Sequence, residues 1–148
     1  MSMYKRVLMA LDFHGDNQAI IEKGEALAKA NDAELHLIHV NEPLTVAYAA
    51  DGMTWSDQVV SLEASIRKEA ETKMAELAKR LNVDSDRCYL REGKPSSEIH
   101  EAVEEKGIDV IVMGTHGKSG LQLLLGSTAN SVLHGAPCDV LAVRIQDQ

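Results

Sequence analysis

The sequence predicts an α/β protein, a single doubly wound domain in which a parallel sheet carries helices on both faces. Short apolar runs typical of buried strands alternate along the chain with segments whose apolar residues recur at helical spacing. Because a helix separates each strand from the next, successive strands are expected to pair in parallel through right-handed crossovers. A chain of 148 residues is long enough to bury a core without disulfides or metals. We therefore expect one domain over residues 1–148.

Five segments have the character of strands. Four are largely apolar, whereas the third is more polar and is therefore expected at an edge of the sheet. In chain order they are residues 7–11, 35–40, 87–91, 108–113 and 140–143.

Four segments have the amphipathic spacing of helices, namely residues 16–31, 59–81, 95–106 and 127–134. Pro95 suits the first turn of the third helix, and Gly107 ends it. The second helix is the longest, and its apolar stripe is expected to pack against the sheet. The stripe consists of Val59, Leu62, Ile66, Ala70, Met74, Leu77 and Leu81.

The acidic composition excludes some classes of function. The formal net charge is −8, and the basic residues lie mostly among acids rather than in a stripe. Non-specific binding to nucleic acids or anionic membranes is therefore not expected. Because no leader sequence and no run of about 18 apolar residues is visible, we expect a cytoplasmic protein without membrane insertion. Cys88 and Cys138 are far apart and fit buried free thiols in a reducing compartment.

A glycine-rich segment follows the fourth strand. Gly114 and Gly117 bracket two residues, and an eight-residue spacer follows them. The spacer leads to Gly126, Ser127 and Thr128 at the start of the last helix. Glycines let backbone N–H groups approach phosphate oxygens, and a helix N-terminus favours negative charge, so the segment indicates phosphate binding in a nucleotide site. Taken singly, these residues are also explained by a tight turn and by an N-cap at Ser127.

Other candidate residues are expected at the same edge of the sheet. Ligands of open α/β sheets bind outside the carboxyl ends of the strands, where the winding direction reverses. Asp12 ends the first strand and is a candidate acceptor for ribose hydroxyls or an adenine amino group. Val40 ends the second strand and offers the base an apolar or main-chain contact, and Lys118 supplies a mobile positive charge. The alternative for Asp12 is a cap on the helix that starts near Asp16.

Several kinds of chemistry are not expected. Neither G-x-x-x-x-G-K-[ST] nor G-x-G-x-x-G follows the first strand, which argues against Walker-type motors and dinucleotide dehydrogenases. No histidine pair has metal-ligand spacing, and His36 and His39 are predicted to point to opposite faces of their strand. No catalytic triad order is visible. His14 and His116 are expected near the crevice in hydrogen-bonding or exposed roles rather than as general bases.

Over essentially its whole length, the chain resembles the universal stress protein family. The matching segments are residues 4–8 leading into Asp12, then residues 37–40, 93–96, 123–128 and 136–143. The decisive match is V-M-G-T-H-G-K-S-G at residues 112–120. The resemblance implies a five-stranded parallel sheet, expected in the order 3-2-1-4-5. It also implies a homodimer, which in the family often pairs through the last strand, here Val140 to Val143.

The ATP-binding branch of this family carries a G-x-x-G, a nine-residue spacer and then G-[ST], which this chain resembles. Carried over by position, Asp12 and Val40 would contact ribose and adenine, and the glycines with Ser127 and Thr128 would hold the phosphates. The candidate ATP site consists of Asp12, Val40, Met113, Gly114, Gly117, Lys118, Gly126, Ser127 and Thr128.

The resemblance implies a stress-response regulatory protein that binds ATP with Mg²⁺ and switches a regulatory protein partner as a dimer. Any enzymatic activity is expected to be slow ATP hydrolysis or autophosphorylation at most, because nothing resembles a dedicated base or arginine finger. The alternative is a nucleotide-independent interaction module of the same fold. The eight-residue spacer favours it, as does His14, where the family's ATP binders commonly have a small hydroxyl residue. A third hypothesis is a small hydrolase that uses His116, Ser127 and Asp12.

Overall fold

The structure is a computed structural model that describes residues 2–43, 57–115 and 127–145, and of Ser127 the backbone alone. Each predicted strand and helix is found, with its ends within two residues of the prediction. The elements are β1 (Arg6–Ala10), α1 (Gln18–Asn31), β2 (Glu34–Asn41), α2 (Asp57–Leu81), a 3-10 turn (Ser85–Arg87), β3 (Cys88–Glu92), α3 (Pro95–Lys106), β4 (Val110–Gly114), α4 (Ser127–Leu133) and β5 (Asp139–Val143).

The five described strands form one parallel sheet in the predicted order β3-β2-β1-β4-β5. β1 lies at the centre, where Met9 pairs with Leu37 of β2 and with Val112 of β4. The polar strand β3 is at one edge, as predicted, and β5 is at the other. The chain thus winds outward from β1 in both directions, and the winding reverses between β1 and β4.

The helices α1 and α2 cover one face of the sheet. Gly24 of α1 sits directly over β1, and a Cβ atom there would overlap the Sδ atom of Met9. The lack of a side chain at Gly24 therefore permits the close approach of α1 to the sheet. The core on this face contains Val7, Met9, Leu11, Ile20, Ile21, Ala28, Leu37, Met74, Leu77, Val83, Val110, Val112 and Val143.

The helices α3 and α4 cover the opposite face. They are joined by a hydrogen bond of 2.7 Å from Nε2 of His100 in α3 to the carbonyl oxygen of Val132 in α4. The core on this face contains Leu8, Ile38, Ile99, Ala102, Val103, Ile108, Ile111, Met113, Ala129 and Val132. With both faces covered, the central strands are buried on both sides, which explains their continuous apolar runs.

The predicted apolar stripe of α2 is only partly buried. Val59, Ala70, Met74 and Leu77 are buried, but Leu62 is 47% exposed, so the prediction is wrong there. α2 has 25 residues and is about 37 Å long, whereas the eight residues of β2 span about 26 Å. The helix is therefore longer than the strands that it covers.

Residues 108 and 109, predicted as strand, lie before β4 instead. Gly107 ends α3 with a φ of 66°, and the N–H of Ile108 donates to the carbonyl oxygen of Val103 at 3.1 Å. The carboxylate of Asp109 accepts a hydrogen bond of 3.0 Å from the backbone N–H of Arg6. These two residues therefore close the helix and tie it to the start of β1 before the β4 ladder begins.

Candidate functional site

The carboxyl ends of β1 and β2 meet where Asp12 and Val40 were expected. The pairing of these strands continues past Ala10, because the N–H of Leu11 donates to the carbonyl oxygen of Ile38 at 2.9 Å. Since Ala10 pairs with Ile38, two further residues on each strand bring Asp12 beside Val40. The two residues thus lie at the same edge of the sheet.

The carboxyl end of β4 lies on the other side of β1. Gly114 is the last residue of β4 and pairs with Val143 of β5. The N–H of Thr115 then donates to the carbonyl oxygen of Val143 at 2.9 Å, so the pairing extends beyond the strand. Asp12, Val40 and Gly114 therefore flank the point where the winding of the sheet reverses, which is the ligand-binding position of open α/β sheets.

Asp12 begins a tight turn over residues 12–15. The N–H of Gly15 donates to the carbonyl oxygen of Asp12 at 3.0 Å, and the N–H of His14 donates to Oδ1 of Asp12 at 3.0 Å. The side-chain amide of Asn17 makes two further bonds to the Asp12 backbone. Oδ2 of the half-buried Asp12 has no hydrogen-bond partner among the residues that the structure describes, which leaves this oxygen as an acceptor for a ligand.

The carboxylate that caps α1 belongs to Asp16. Its Oδ1 accepts a hydrogen bond of 2.9 Å from the N–H of Gln18, the first residue of the helix. The Asp12 carboxylate instead turns back over its own loop. The capping alternative for Asp12 therefore does not describe what this side chain does.

Aromatic rings support the turn from below. The ring of Phe13 lies against the ring of His39, with 4.5 Å between the centroids. His39 is 4% exposed, and its Nδ1 donates to the carbonyl oxygen of Leu11 at 2.9 Å. His36 bonds to Tyr89 instead, so the two histidines face opposite sides of β2 as predicted. The sequence analysis did not predict this role of His39, and the signal it offered was a polar side chain within a largely apolar strand.

Val40 and Met113 lie on the α3 and α4 side of the sheet edge. Val40 is half-buried and packs against the core of that face, and Met113 belongs to the core and is 4% exposed. Met113 therefore offers apolar surface from below rather than a polar contact. His14 is exposed on the turn, and its ring lies edge-on to His39 with 6.1 Å between the centroids.

Packing alone accounts for the small size of Gly114. A Cβ atom at this position would lie 3.0 Å from Cγ1 of Ile145 and 3.2 Å from Cδ1 of Ile20. Contacts of this length require the neighbours to shift. The space at Gly114 is therefore limited by Ile20 of α1 and by Ile145, which follows β5, whatever the glycine also does for a phosphate group.

The rest of the glycine-rich segment lies partly outside the described residues. Gly117, Lys118 and Gly126 fall there, as does His116. Ser127 is the first residue of α4, and Thr128 is exposed in the first turn of that helix. The structure therefore brings four of the nine candidate residues together at the sheet edge, namely Asp12, Val40, Met113 and Gly114.

Comparison with known proteins identifies the family. The model of the Universal stress protein family matches residues 3–144. The chain belongs to the universal stress protein family. Universal stress protein A homolog 2 of Coxiella burnetii is 42% identical over 147 residues, covering 99% of this chain and 99% of its own length.

Solved structures have the same fold as this universal stress protein. The structure of the hypothetical protein MJ0577 is 27% identical, covers 99% of both chains and gives a TM-score of 0.79. A universal stress protein in complex with cAMP is 24% identical, covers 96% of this chain and 98% of its own, and gives a TM-score of 0.56. At that identity, the second comparison shows the fold alone.

The two thiols of this universal stress protein are half-buried, not fully buried as expected, and both are free. Burial raises the pKa of the Cys88 thiol, and burial followed by the nearby Asp139 raises the pKa of Cys138 to about 11. A thiol reacts as its thiolate, so both side chains are poor nucleophiles at neutral pH.

Two further features concern only the described parts of the chain. Over residues 2–43, 57–115 and 127–145, no three His, Cys, Asp or Glu side chains are grouped closely enough to hold a metal ion. Over the same ranges, the helices are too short or too polar to span a bilayer.

Proposed function

We propose that this universal stress protein is a cytoplasmic stress-response regulator that binds ATP with Mg²⁺ at the carboxyl edge of β2, β1 and β4. It acts as a homodimer, and nucleotide occupancy switches its interaction with a regulatory protein partner. Any hydrolysis is slow in this proposal, because nothing in the sequence resembles a dedicated base or an arginine finger.

One observation supports this proposal above the others. Asp12, Val40 and Gly114 flank the point where the sheet reverses its winding, and Oδ2 of Asp12 remains an available acceptor. A nucleoside offers hydroxyl and amino donors, so its chemistry fits a carboxylate oxygen beside the apolar surface of Val40 and Met113. When bound, the nucleotide would supply a charged polyphosphate, whose presence or absence would change the surface that the protein offers to its partner.

The phosphates are assigned to the glycine-rich segment. In this proposal Gly114, Gly117 and Gly126 allow backbone N–H groups to approach, while Ser127 and Thr128 donate their hydroxyls. Lys118 adds a positive charge. The exposed position of Thr128 at the start of α4 is consistent with this role.

The dimer is assigned to the β5 edge. β5 is an edge strand with the exposed residues Leu141 and Ala142, and an edge strand has unpaired backbone groups that can bond to a second copy. The predicted segment, Val140 to Val143, lies within this strand.

The test compares two substitutions that each remove one negative charge. Asp12→Asn is expected to weaken ATP binding at least tenfold, because the amide presents a weaker acceptor than the carboxylate. Asp32→Asn is the control. Asp32 is exposed at the amino ends of the strands, just before β2, in a left-handed conformation that asparagine tolerates. Equal ATP affinity for both variants would refute the assignment of Asp12.

The choice of ligands separates nucleotide classes. Because a universal stress protein of the same fold has been solved with cAMP, cAMP is titrated beside ATP, ADP and AMP. Preference for cAMP would move the proposal to a cyclic nucleotide. Failure of all four to bind would favour the nucleotide-independent interaction module. In that case the packing against Ile145 and Ile20 would still explain why residue 114 is a glycine.

A further inference from the structure

We propose that Asn17 is a positioning residue for Asp12: its side-chain amide fixes the Asp12 backbone so that one carboxylate oxygen is directed to the nucleotide. This inference rests on the proposed function and identifies a residue that the family resemblance did not supply.

Asn17 forms a reciprocal pair of hydrogen bonds with Asp12. Its Nδ2 donates to the carbonyl oxygen of Asp12 at 2.8 Å, and its Oδ1 accepts from the N–H of Asp12 at 3.0 Å. The side chain thus satisfies both polar groups of the Asp12 peptide backbone. The asparagine amide carries the donor and the acceptor that this arrangement needs on one planar group.

The position of Asn17 makes this pairing informative. Asn17 is the N-cap residue of α1, where an asparagine normally accepts a hydrogen bond from the first turn of its own helix. Here the side chain makes no capping bond and reaches back five residues to Asp12 instead. The amide is therefore used to connect the end of β1 to the start of α1.

The carbonyl groups on both sides of Asp12 are held as well. The carbonyl oxygen of Leu11 accepts from Nδ1 of His39 at 2.9 Å, and that of Phe13 accepts from Nζ of Lys73 at 2.9 Å. Three consecutive carbonyl oxygens are thus bound by side chains from β2, from the N-cap of α1 and from α2. This clamp leaves the Asp12 main chain little freedom to rotate.

The clamp determines which carboxylate oxygen is available. Oδ1 accepts a hydrogen bond of 3.0 Å from the N–H of His14. The position of that N–H in the turn depends on the backbone of Asp12. Oδ2 is left without a hydrogen bond among the described residues. A group held in one geometry before binding loses less conformational entropy when the ligand arrives, so loss of the Asn17 amide should weaken binding through Asp12.

The experiment measures ATP affinity and amide hydrogen exchange in Asn17→Ser, which keeps a helix-capping side chain but cannot span the Asp12 backbone. Asn31→Ser is the matched control. Asn31 Oδ1 accepts a hydrogen bond of 2.7 Å from the N–H of Met3. It is therefore the same type of side chain, also bonded to the backbone, but at the amino ends of the strands and away from the candidate site. Asn17→Asp is the second variant: it keeps an acceptor oxygen but replaces the donor with a negatively charged oxygen that faces the carbonyl oxygen of Asp12, so it should weaken ATP binding at least as much as Asn17→Ser.

We expect Asn17→Ser to weaken ATP binding about tenfold and to accelerate exchange of the Asp12 N–H. Asn31→Ser should change ATP affinity less than twofold. In an Asp12→Asn background, Asn17→Ser should cost less than twofold, because the residue on which it acts has already changed. A purely structural role would give the same loss in both backgrounds.

Three results overturn the inference: unchanged exchange of the Asp12 N–H in Asn17→Ser, ATP affinity no weaker than in Asn31→Ser, or the same loss of affinity from Asn17→Ser in the wild-type and Asp12→Asn backgrounds. Failure of the wild-type protein to bind ATP overturns the proposed function and with it the nucleotide part of the inference. In that case the exchange rates still decide whether Asn17 fixes the Asp12 turn.

Discussion

Gly114, the last residue of β4, lies directly against Ile145, which follows β5. A Cβ atom on Gly114 would be 3.0 Å from Cγ1 of Ile145. The glycine at the candidate phosphate-binding position is thus also a packing requirement, and substitutions there change the core together with the site.

Gly114→Ala is expected to destabilise the protein by about 1–3 kcal/mol, the usual cost of overpacking. The free energy of unfolding in urea measures this loss. Gly15→Ala is the control, because a Cβ atom at Gly15 would meet only Asp12 atoms, at 3.7 Å or more. A Gly114→Ala variant as stable as the wild-type protein would contradict the packing explanation.

The surroundings of His36 and Glu34 lead us to expect that the free energy of unfolding falls in acid. His36 is 5% exposed; with its proton on Nε2, its ring donates to Glu34 and accepts from the Tyr89 hydroxyl. Burial lowers the pKa of His36 below its ordinary 6.5, and the hydrogen bond from His36 lowers the pKa of Glu34 below 4.5. Each group therefore contributes stability above its ordinary pKa that is lost as the pH falls through its lowered pKa.

The measurement is the free energy of unfolding from about pH 7 down to about pH 5. We expect His36→Gln to flatten this dependence, because glutamine does not titrate. His134→Gln, at an exposed histidine, should leave the slope unchanged. If His36→Gln retained the wild-type slope, burial of the imidazole would not be the source of the acid sensitivity.

Cys138 is predicted to react slowly with alkylating agents. With a pKa of about 11, its thiolate fraction at about pH 8 is roughly a hundredfold below that of a small thiol. Iodoacetamide labelling of a Cys88→Ser variant, followed by mass spectrometry, measures the rate. The unfolded chain should react like a small thiol. Equally fast labelling of the folded protein would show that Cys138 is not protected.

The two edge strands offer a matched test of the dimer. Leu141 of β5 and Leu90 of β3 are each 38% exposed. In the proposed dimer, Leu141→Glu places a charge at the interface and should yield monomers, whereas Leu90→Glu should leave the dimer intact. Analytical ultracentrifugation distinguishes the two. A monomeric wild-type protein, or equal dissociation of both variants, would contradict pairing through β5.

The sequence predicted the fold closely because local signals agreed with one another. Pro95 and Gly107 mark the ends of α3, and the continuous apolar runs of β1 and β4 indicate burial on both faces. The errors arose where tertiary geometry decides. Leu62 has a core-like position in its helix, yet the helix is longer than the sheet beneath it. The exposure of Leu62 depends on the length of the helix relative to the sheet, and the periodicity of the apolar residues does not reveal this.

The sequence predicted the residues at the strand ends of the candidate site, but not the side chains that hold the Asp12 turn in place. Asp12 and Val40 follow from strand ends, because parallel strands bring their carboxyl ends together. Asn17 was not a candidate, since a sequence does not reveal that its amide turns back to Asp12. His39 and Lys73 support the same turn from other elements, and such long-range bonds depend on the folded geometry.

Calorimetric titration of the nucleotide-stripped wild-type protein with ATP and Mg²⁺ tests the central claim most directly. We expect a Kd of micromolar or tighter, which corresponds to about −8 kcal/mol, and a loss of that heat in Asp12→Asn. No heat up to millimolar ATP, from a preparation that carries no nucleotide, would contradict the account and favour an interaction module that works without nucleotide.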